Sequence, residues 1–451
     1  MTELEYIREL LALELIQREE EGCDVGAIKA RSKQPDADIK RLRELYDELT
    51  ALPVKRDFAY YEPDSLYEII KASAGGFDAV RTDIDPDKFE GAWLGRCIGC
   101  ALGKPLETSP FTCGRDGIAG SQFVYEWFKG AGAYPINDYV PSHSACEQQY
   151  GICVERGSAP SFRENIAYMQ TDDDIRYMVL ALMLLENKGL DFTVRDVCDI
   201  WRRNLPVDLL YTAERQAYLN ACDADLMLYE SKDKYEYIRM HNNPYREWIG
   251  AQIRVDVYAY ACAGDPQRAA RLAYTDASFS HVKNGVYGAL FCAAMIAEAF
   301  VSNDVQQVIN AGLSVIPQKS RLYSAVKRAC ELARDAKSEL ELAQKINTEF
   351  SAYHPIHTIN NAAVCAGAII YGKGDFTASV TAAVLGGWDT DCNGATVGSV
   401  LGAMNGAGGI DDKWKLPLND TLYSSIPGFH PISISECALR SYKLWEQFKP
   451  I

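Results

Sequence analysis

The sequence predicts an all-α fold: one large helical domain carrying an N-terminal helical extension. Three observations lead there. Apolar residues recur at three- and four-residue spacing in one segment after another. Clear alternating strand patterns are scarce. Two stretches carry glycine at every fourth position, a spacing that lines the glycines along one side of a helix.

The bulk properties fit that class. The chain has 451 residues, 48% of them hydrophobic and 24% charged, enough for a large core. Acidic residues outnumber basic ones by 62 to 46, a formal charge of -16. A surface of that sign repels nucleic acid and anionic membrane, so neither is expected as a partner. The segment Met1 to Arg18 has no basic start and no apolar centre, so no secretory signal is expected. No apolar run approaches the roughly 20 residues of a membrane span. The 14 cysteines lie scattered through apolar stretches, which reads as reduced thiols in a cytoplasmic protein.

Taken in order, residues 1–80 form the extension and its linker. Leu4, Ile7, Leu10, Leu11 and Leu15 mark a first helix. Asp36 and Asp38 precede a second, Ile39 to Leu49, and the pair resembles a helical hairpin. Pro53 to Asp64 is a linker. Residues 81–451 form the main domain. Helical patterns run over Ile175 to Glu186, Val194 to Arg203, Arg254 to Ala263, Gly285 to Phe300, Ala325 to Ala336 and Ala362 to Tyr371. Phe111 to Pro160 reads as a long, irregular, aromatic-rich excursion whose rings either stack on a substrate base or simply pack.

Gly91, Gly95, Gly99 and Gly103 form the first stripe, and Gly394, Gly398, Gly402 and Gly406 the second. Each such glycine costs about 0.8–1 kcal/mol relative to alanine in a helix, so close packing against another backbone must compensate. The first stripe leads into Lys104-Pro105-Leu106-Glu107, and Trp388-Asp389-Thr390-Asp391 leads into the second. Thr171-Asp172-Asp173-Asp174 opens a further helix, with Thr171 as its expected N-cap and Asp174 three residues on, as in a capping box. Either acidic cluster alone reads as ordinary capping. If the two meet, their charges demand a cation, and their oxygen donors suit a hard ion such as magnesium or manganese.

Phe89-Glu90-Gly91-Ala92-Trp93-Leu94-Gly95 through Glu107 resembles the opening helix of the ADP-ribosylglycohydrolase family, which includes jellyfish J1 crystallin. Thr171-Asp172-Asp173 resembles its first metal motif and Gly386-Gly387-Trp388-Asp389-Thr390-Asp391 its second. Gly250 to Arg254 looks like its glycine-arginine element, and His281 falls where it has a histidine element. The resemblance runs from about Lys88 to Gly409. It implies an orthogonal helical domain, two magnesium ions (or manganese) and hydrolysis of an ADP-ribosyl or related ribosyl bond to nitrogen or oxygen. By position, Thr171, Asp172, Asp173 and Asp391 hold one ion, and Asp389 and Asp391 the other. Glu107, Asp172 and Asp173 are the catalytic candidates. Gly103, Arg254, His281, Gly387, Trp388 and His357 are the substrate-binding candidates, His357 through its polar His354-x-x-His357 segment. Two departures stand out: Cys392 replaces a threonine usual after the second aspartate, and Asp174 replaces another. A thiol is a poor magnesium ligand.

The expected substrate is therefore an ADP-ribosyl or ribosyl compound. A small-metabolite or nucleoside N-ribosyl hydrolase is the alternative, and a non-catalytic crystallin-like protein a third class. Nothing in the sequence sets an oligomeric state. Cys97 and Cys100 form a C-x-x-C without the second pair or thioredoxin-like setting that zinc or redox chemistry needs, and read as helix packing.

Overall fold

The structure, a computed structural model, describes residues 2–34, 38–77, 80–226 and 234–450; Asp36 lies outside them. The described chain is helical throughout apart from one two-stranded antiparallel ribbon, Thr421–Leu422 with Ile432–Ser433. The all-α expectation holds.

The extension folds as three helices, Glu3–Glu20, Gly26–Ser32 and Ile39–Thr50, rather than a simple hairpin, and a further short helix, Leu66–Ala72, follows the linker. Thr2 and Glu5 close a capping box on the first, and Asp38 caps the third through the Arg41 amide. Ile7, Leu10, Leu11, Leu15, Leu42, Leu45 and Leu49 bury each other in a small core of their own. The opposite side of the first helix is not solvated. Glu14, Gln17 and Glu21 are buried against the main domain. There the Arg246 guanidinium donates two 2.8 Å bonds to Glu14 and one of 3.1 Å to Glu21. Gln17 donates at 2.8 Å to Glu247, which also accepts from Arg321 at 2.8 Å. The linker is strapped down as well: Glu62 pairs with Arg321, and the Tyr61 amide donates to the Lys319 carbonyl.

The centre of the main domain is an antiparallel pair of helices, Asp87–Gly103 and Thr390–Asn405. Their glycines meet pairwise, Gly91 with Gly402, Gly95 with Gly398 and Gly99 with Gly394, each facing the other's backbone carbonyl with no room for a Cβ. The stripes therefore do what their spacing predicts. At the end of the contact Gly103 lies on the backbone of Thr390 and Asp391, and the Thr390 hydroxyl donates to the Gly103 carbonyl at 2.9 Å.

Two expected elements differ. Arg254 to Ala263 is a 3-10 turn, Ile249–Arg254, followed by a short helix, Asp256–Ala261. The Phe111 to Pro160 excursion contains a helix, Gly120–Gly130, and its rings are core: Phe111, Phe123, Trp127, Phe128 and Tyr139 are buried. Phe111 packs edge-on against Trp127 at 5.8 Å and Tyr139 against Trp414 at 5.3 Å. Packing satisfies these rings, so none faces a base.

Candidate active site

The glycine contact brings Glu107, at the end of the first helix's 3-10 extension, beside the start of the second. The third contributor is the helix Asp173–Lys188. Its N-cap is Asp172, whose carboxylate accepts from the Asp174 amide at 3.1 Å; Thr171 lies one residue outside, a correction to the expected cap. Asp174 is no capping-box partner either, because it is pulled into the core by Arg96, which also reaches Asp256 at 3.3 Å. Thr171 instead accepts hydrogen bonds from Arg176 at 3.2 Å and from Ser425 at 3.0 Å.

These starts open into one cleft of about 410 Å³. Glu107, Thr171, Asp172, Asp173, Asp389 and Asp391 all line it, together with Lys104, Arg176 and Cys392. Its far wall is built from Tyr177, Tyr211, Glu214, Trp248 and Ile356. A cleft in which polar groups converge beside aromatic and aliphatic walls is a usual form of a small-molecule site.

The crowding of carboxylates dominates the electrostatics. Burial and the neighbouring Asp391, to which it is hydrogen-bonded, push the Glu107 carboxyl well above the ordinary range. Burial and Asp172 do the same to Asp173, and burial and Asp391 to Asp389. Asp172 goes the other way. Burial opposes its charge, but the Lys104 ammonium bonded to its Oδ2 holds it below the ordinary range.

Donor geometry fits a cation. Ligand atoms of Asp389, Asp391 and Cys392 lie within 4.8 Å of one another, as do those of Cys100, Asp172, Asp174 and Asp391. Asp391 Oδ1 is buried with no hydrogen-bond partner among the described residues. Asp389 stands at the N-cap position yet makes no side-chain cap bond. An orphaned carboxylate oxygen beside a second carboxylate that caps no helix amide suits a hard ion. The Asp389 cluster is thus more than a cap.

The substrate-binding candidates lie elsewhere: none of the six is among the described residues lining the cleft. Arg254 is buried behind it, donating to Glu214 at 2.7 Å and Ser280 at 2.9 Å, pairing with Asp276, and lying 4.9 Å over Trp201. With its donors engaged it has none to offer a phosphate. His281 is buried against Ser280, its Nδ1 2.8 Å from the hydroxyl. His357 caps the helix Thr358–Gly372 through its Nδ1, and its Nε2 faces Glu20 of the extension at 3.5 Å. Gly103 is taken up by the helix contact. Gly387 packs on the backbone of Phe111 and Ser121, and Trp388, at a φ of 60°, is buried in the same turn.

Sequence reasoning missed several cleft residues. Arg176 was within reach of it, because it follows Asp172 by four positions and so shares its helix face. Lys104 carried no signal beyond its place after the first glycine stripe, and Tyr211, Glu214 and Trp248 carried none.

Fold and cleft together define an all-α protein built around a shared acidic site. The chain belongs to the ADP-ribosylglycohydrolase family, whose signature matches residues 81–442. That membership supports a glycosyl hydrolase of this type. Among solved structures the chain is similar to one described as an ADP-ribosylglycohydrolase-related protein complex. The two are 19% identical with a TM-score of 0.47, over 80% of this chain and 98% of that one. No curated protein matches.

Proposed function

We propose that the protein is a magnesium- or manganese-dependent hydrolase of a ribosyl N- or O-glycosidic bond, ADP-ribosyl or related. The observation that carries this reading is the convergence of Glu107, Asp172, Asp173, Asp389 and Asp391 on one cleft, with Asp391 Oδ1 unpartnered. Asp389 and Asp391 would hold the divalent ion, which when bound would supply positive charge to a ribose hydroxyl and a water. Glu107 is placed to take the proton of the water attacking the anomeric carbon. Asp173, in the same cleft, is the candidate proton donor to the departing nitrogen or oxygen. Asp172, held ionised by Lys104, stabilises the positive charge that develops on the sugar.

A specific observation favours a small N-riboside over an ADP-ribosyl protein. Among the described residues lining the cleft the cations are Lys104 and Arg176, and Lys104 is already bonded to Asp172. A pyrophosphate finds few donors there, whereas Tyr211, an exposed ring on the cleft wall, can lie against a base. The test is incubation with magnesium and a panel of ADP-ribosyl-arginine, ADP-ribosyl-serine and simple N-ribosides, beside Asp391→Ala. Turnover by the wild type alone is expected, greatest with N-ribosides. No turnover of any compound, or equal turnover by the variant, overturns the reading.

A further inference from the structure

We infer that Lys104 is a built-in counter-ion that occupies one of the two cation positions of the cleft, so that the chain binds a single divalent ion, on the Asp389–Asp391 side. The inference rests on the hydrolase reading above for the identity of the site, and deepens it.

The two acidic starts are not equivalent. On the first, the Asp172 and Thr171 oxygens that line the cleft already have partners from the protein. Asp172 Oδ2 accepts from the Lys104 ammonium and Asp172 Oδ1 from the Asp174 amide at 3.1 Å. The Thr171 hydroxyl oxygen accepts from Arg176 at 3.2 Å and from Ser425 at 3.0 Å. Asp173 receives no cation and instead lies against the Asp174 amide at 3.1 Å. Asp174 is not among the described residues lining the cleft; its Oδ1 is paired with Arg96, and its Oδ2 is buried without a partner among the described residues. On the second start the opposite holds. Asp389 caps nothing with its side chain, and Asp391 Oδ1 is buried without a partner. The Asp172 carboxylate is therefore already bonded to a fixed cation, whereas among the described residues no lysine or arginine pairs with Asp389 or Asp391.

Position makes Lys104 suited to the role. It directly follows Gly103, which is held against the backbone of Asp391 by the glycine contact, so its side chain starts from a rigid point. Only 14% of that side chain is exposed. An ammonium delivers one positive charge to a carboxylate at hydrogen-bond range, and a divalent ion brought to the same oxygen meets both a filled position and like-charge repulsion. The thiol of Cys392, beside Asp389 and Asp391, removes one hard donor from the remaining site, so a single ion there relies on the two carboxylates and water.

Manganese binding to the full chain, without substrate, tests this by calorimetry and by the paramagnetic signal of the free ion. Wild type is expected to take up one equivalent, Lys104→Met a second equivalent, and Lys104→Arg one equivalent again. Asp391→Asn should lose the wild-type ion. Two equivalents on the wild type overturn the inference while leaving the hydrolase reading intact, because turnover is measured separately. A Lys104→Met chain that stays at one equivalent with unchanged affinity overturns it too. Should Lys104→Met fail to fold, the wild-type count alone decides. A wild type that binds no ion removes both the inference and the metal dependence.

Discussion

Glu107 touches Asp391 and stands beside Asp172, and neither neighbour favours its ionisation. Replacing it with glutamine keeps the shape and removes the proton acceptor. Glu107→Gln is expected to lower kcat about 10²–10⁴-fold with KM little changed, read from steady-state kinetics at saturating magnesium. A second residue-scale prediction concerns Glu20 and His357, which face each other at 3.5 Å where the extension meets the main domain. Burial and the charge of Glu247 raise the Glu20 carboxyl from 4.5 to about 8, and burial lowers His357 from 6.5 to about 3. The folded chain binds the Glu20 proton more tightly than the unfolded one. Its contribution to stability is thus full below the unfolded value of 4.5 and is lost as pH rises through about 8. His357 acts in the other window: its contribution is full above 6.5 and is lost as pH falls through about 3. Glu20→Gln should therefore match wild type in acid and exceed it at alkaline pH by roughly 4 kcal/mol, measured by urea unfolding across the pH series.

At the scale of elements, the two glycine helices decide where the site forms. An alanine at position 95 drives its methyl into the Gly398 carbonyl, which is backbone and cannot swing aside. The helix-propensity gain of about 1 kcal/mol is then outweighed by overpacking. Gly95→Ala is expected to destabilise by about 2–3 kcal/mol and to weaken manganese binding, since the contact also sets Glu107 against Asp391. This contact was legible in the sequence because four-residue spacing has one geometric meaning on a helix. The acidic starts were only half legible. A carboxylate in a first turn serves as a cap or as a ligand, and the letters are the same; Asp172 turns out to be a cap while Asp389 is not. Arg254, His281 and His357 were misplaced for a related reason. Their residue types are those of binding sites, yet each is absorbed by a buried partner: Arg254 by Asp276, which the fold brings to it, and His281 and His357 by the adjacent Ser280 and the Ile359 amide two residues on. The aromatic excursion misled in the same way, since its irregular pattern reflects short helices packing from several directions.

On the scale of the whole molecule, the extension is joined to the main domain by buried charge more than by apolar contact. Arg246 is fully enclosed between Glu14 and Glu21, and Lys283 reaches Glu21 at 3.1 Å. Removing one member of such a cluster leaves the others charged and dry. Arg246→Met should cost about 3–5 kcal/mol in chemical denaturation, far more than loss of an exposed pair such as Arg43 with Glu3. A chain shortened by its first helix is expected to melt earlier for the same reason, although the cleft lies elsewhere. The strap also approaches the cleft wall: His357, facing Glu20, directly follows the cleft residue Ile356, and its backbone bridges to Trp248.

The paired stripes also act as a mechanical detent. Adding a single residue between Gly99 and Gly103 would turn everything beyond it by about 100° and swing Glu107 away from its partner, however good the new helix. Adding four would restore the facing while moving Glu107 outward by about 6 Å. The separation of the acidic groups can therefore change only in whole clicks, so variation that tunes this chemistry must come from the walls of the cleft and not from its axle.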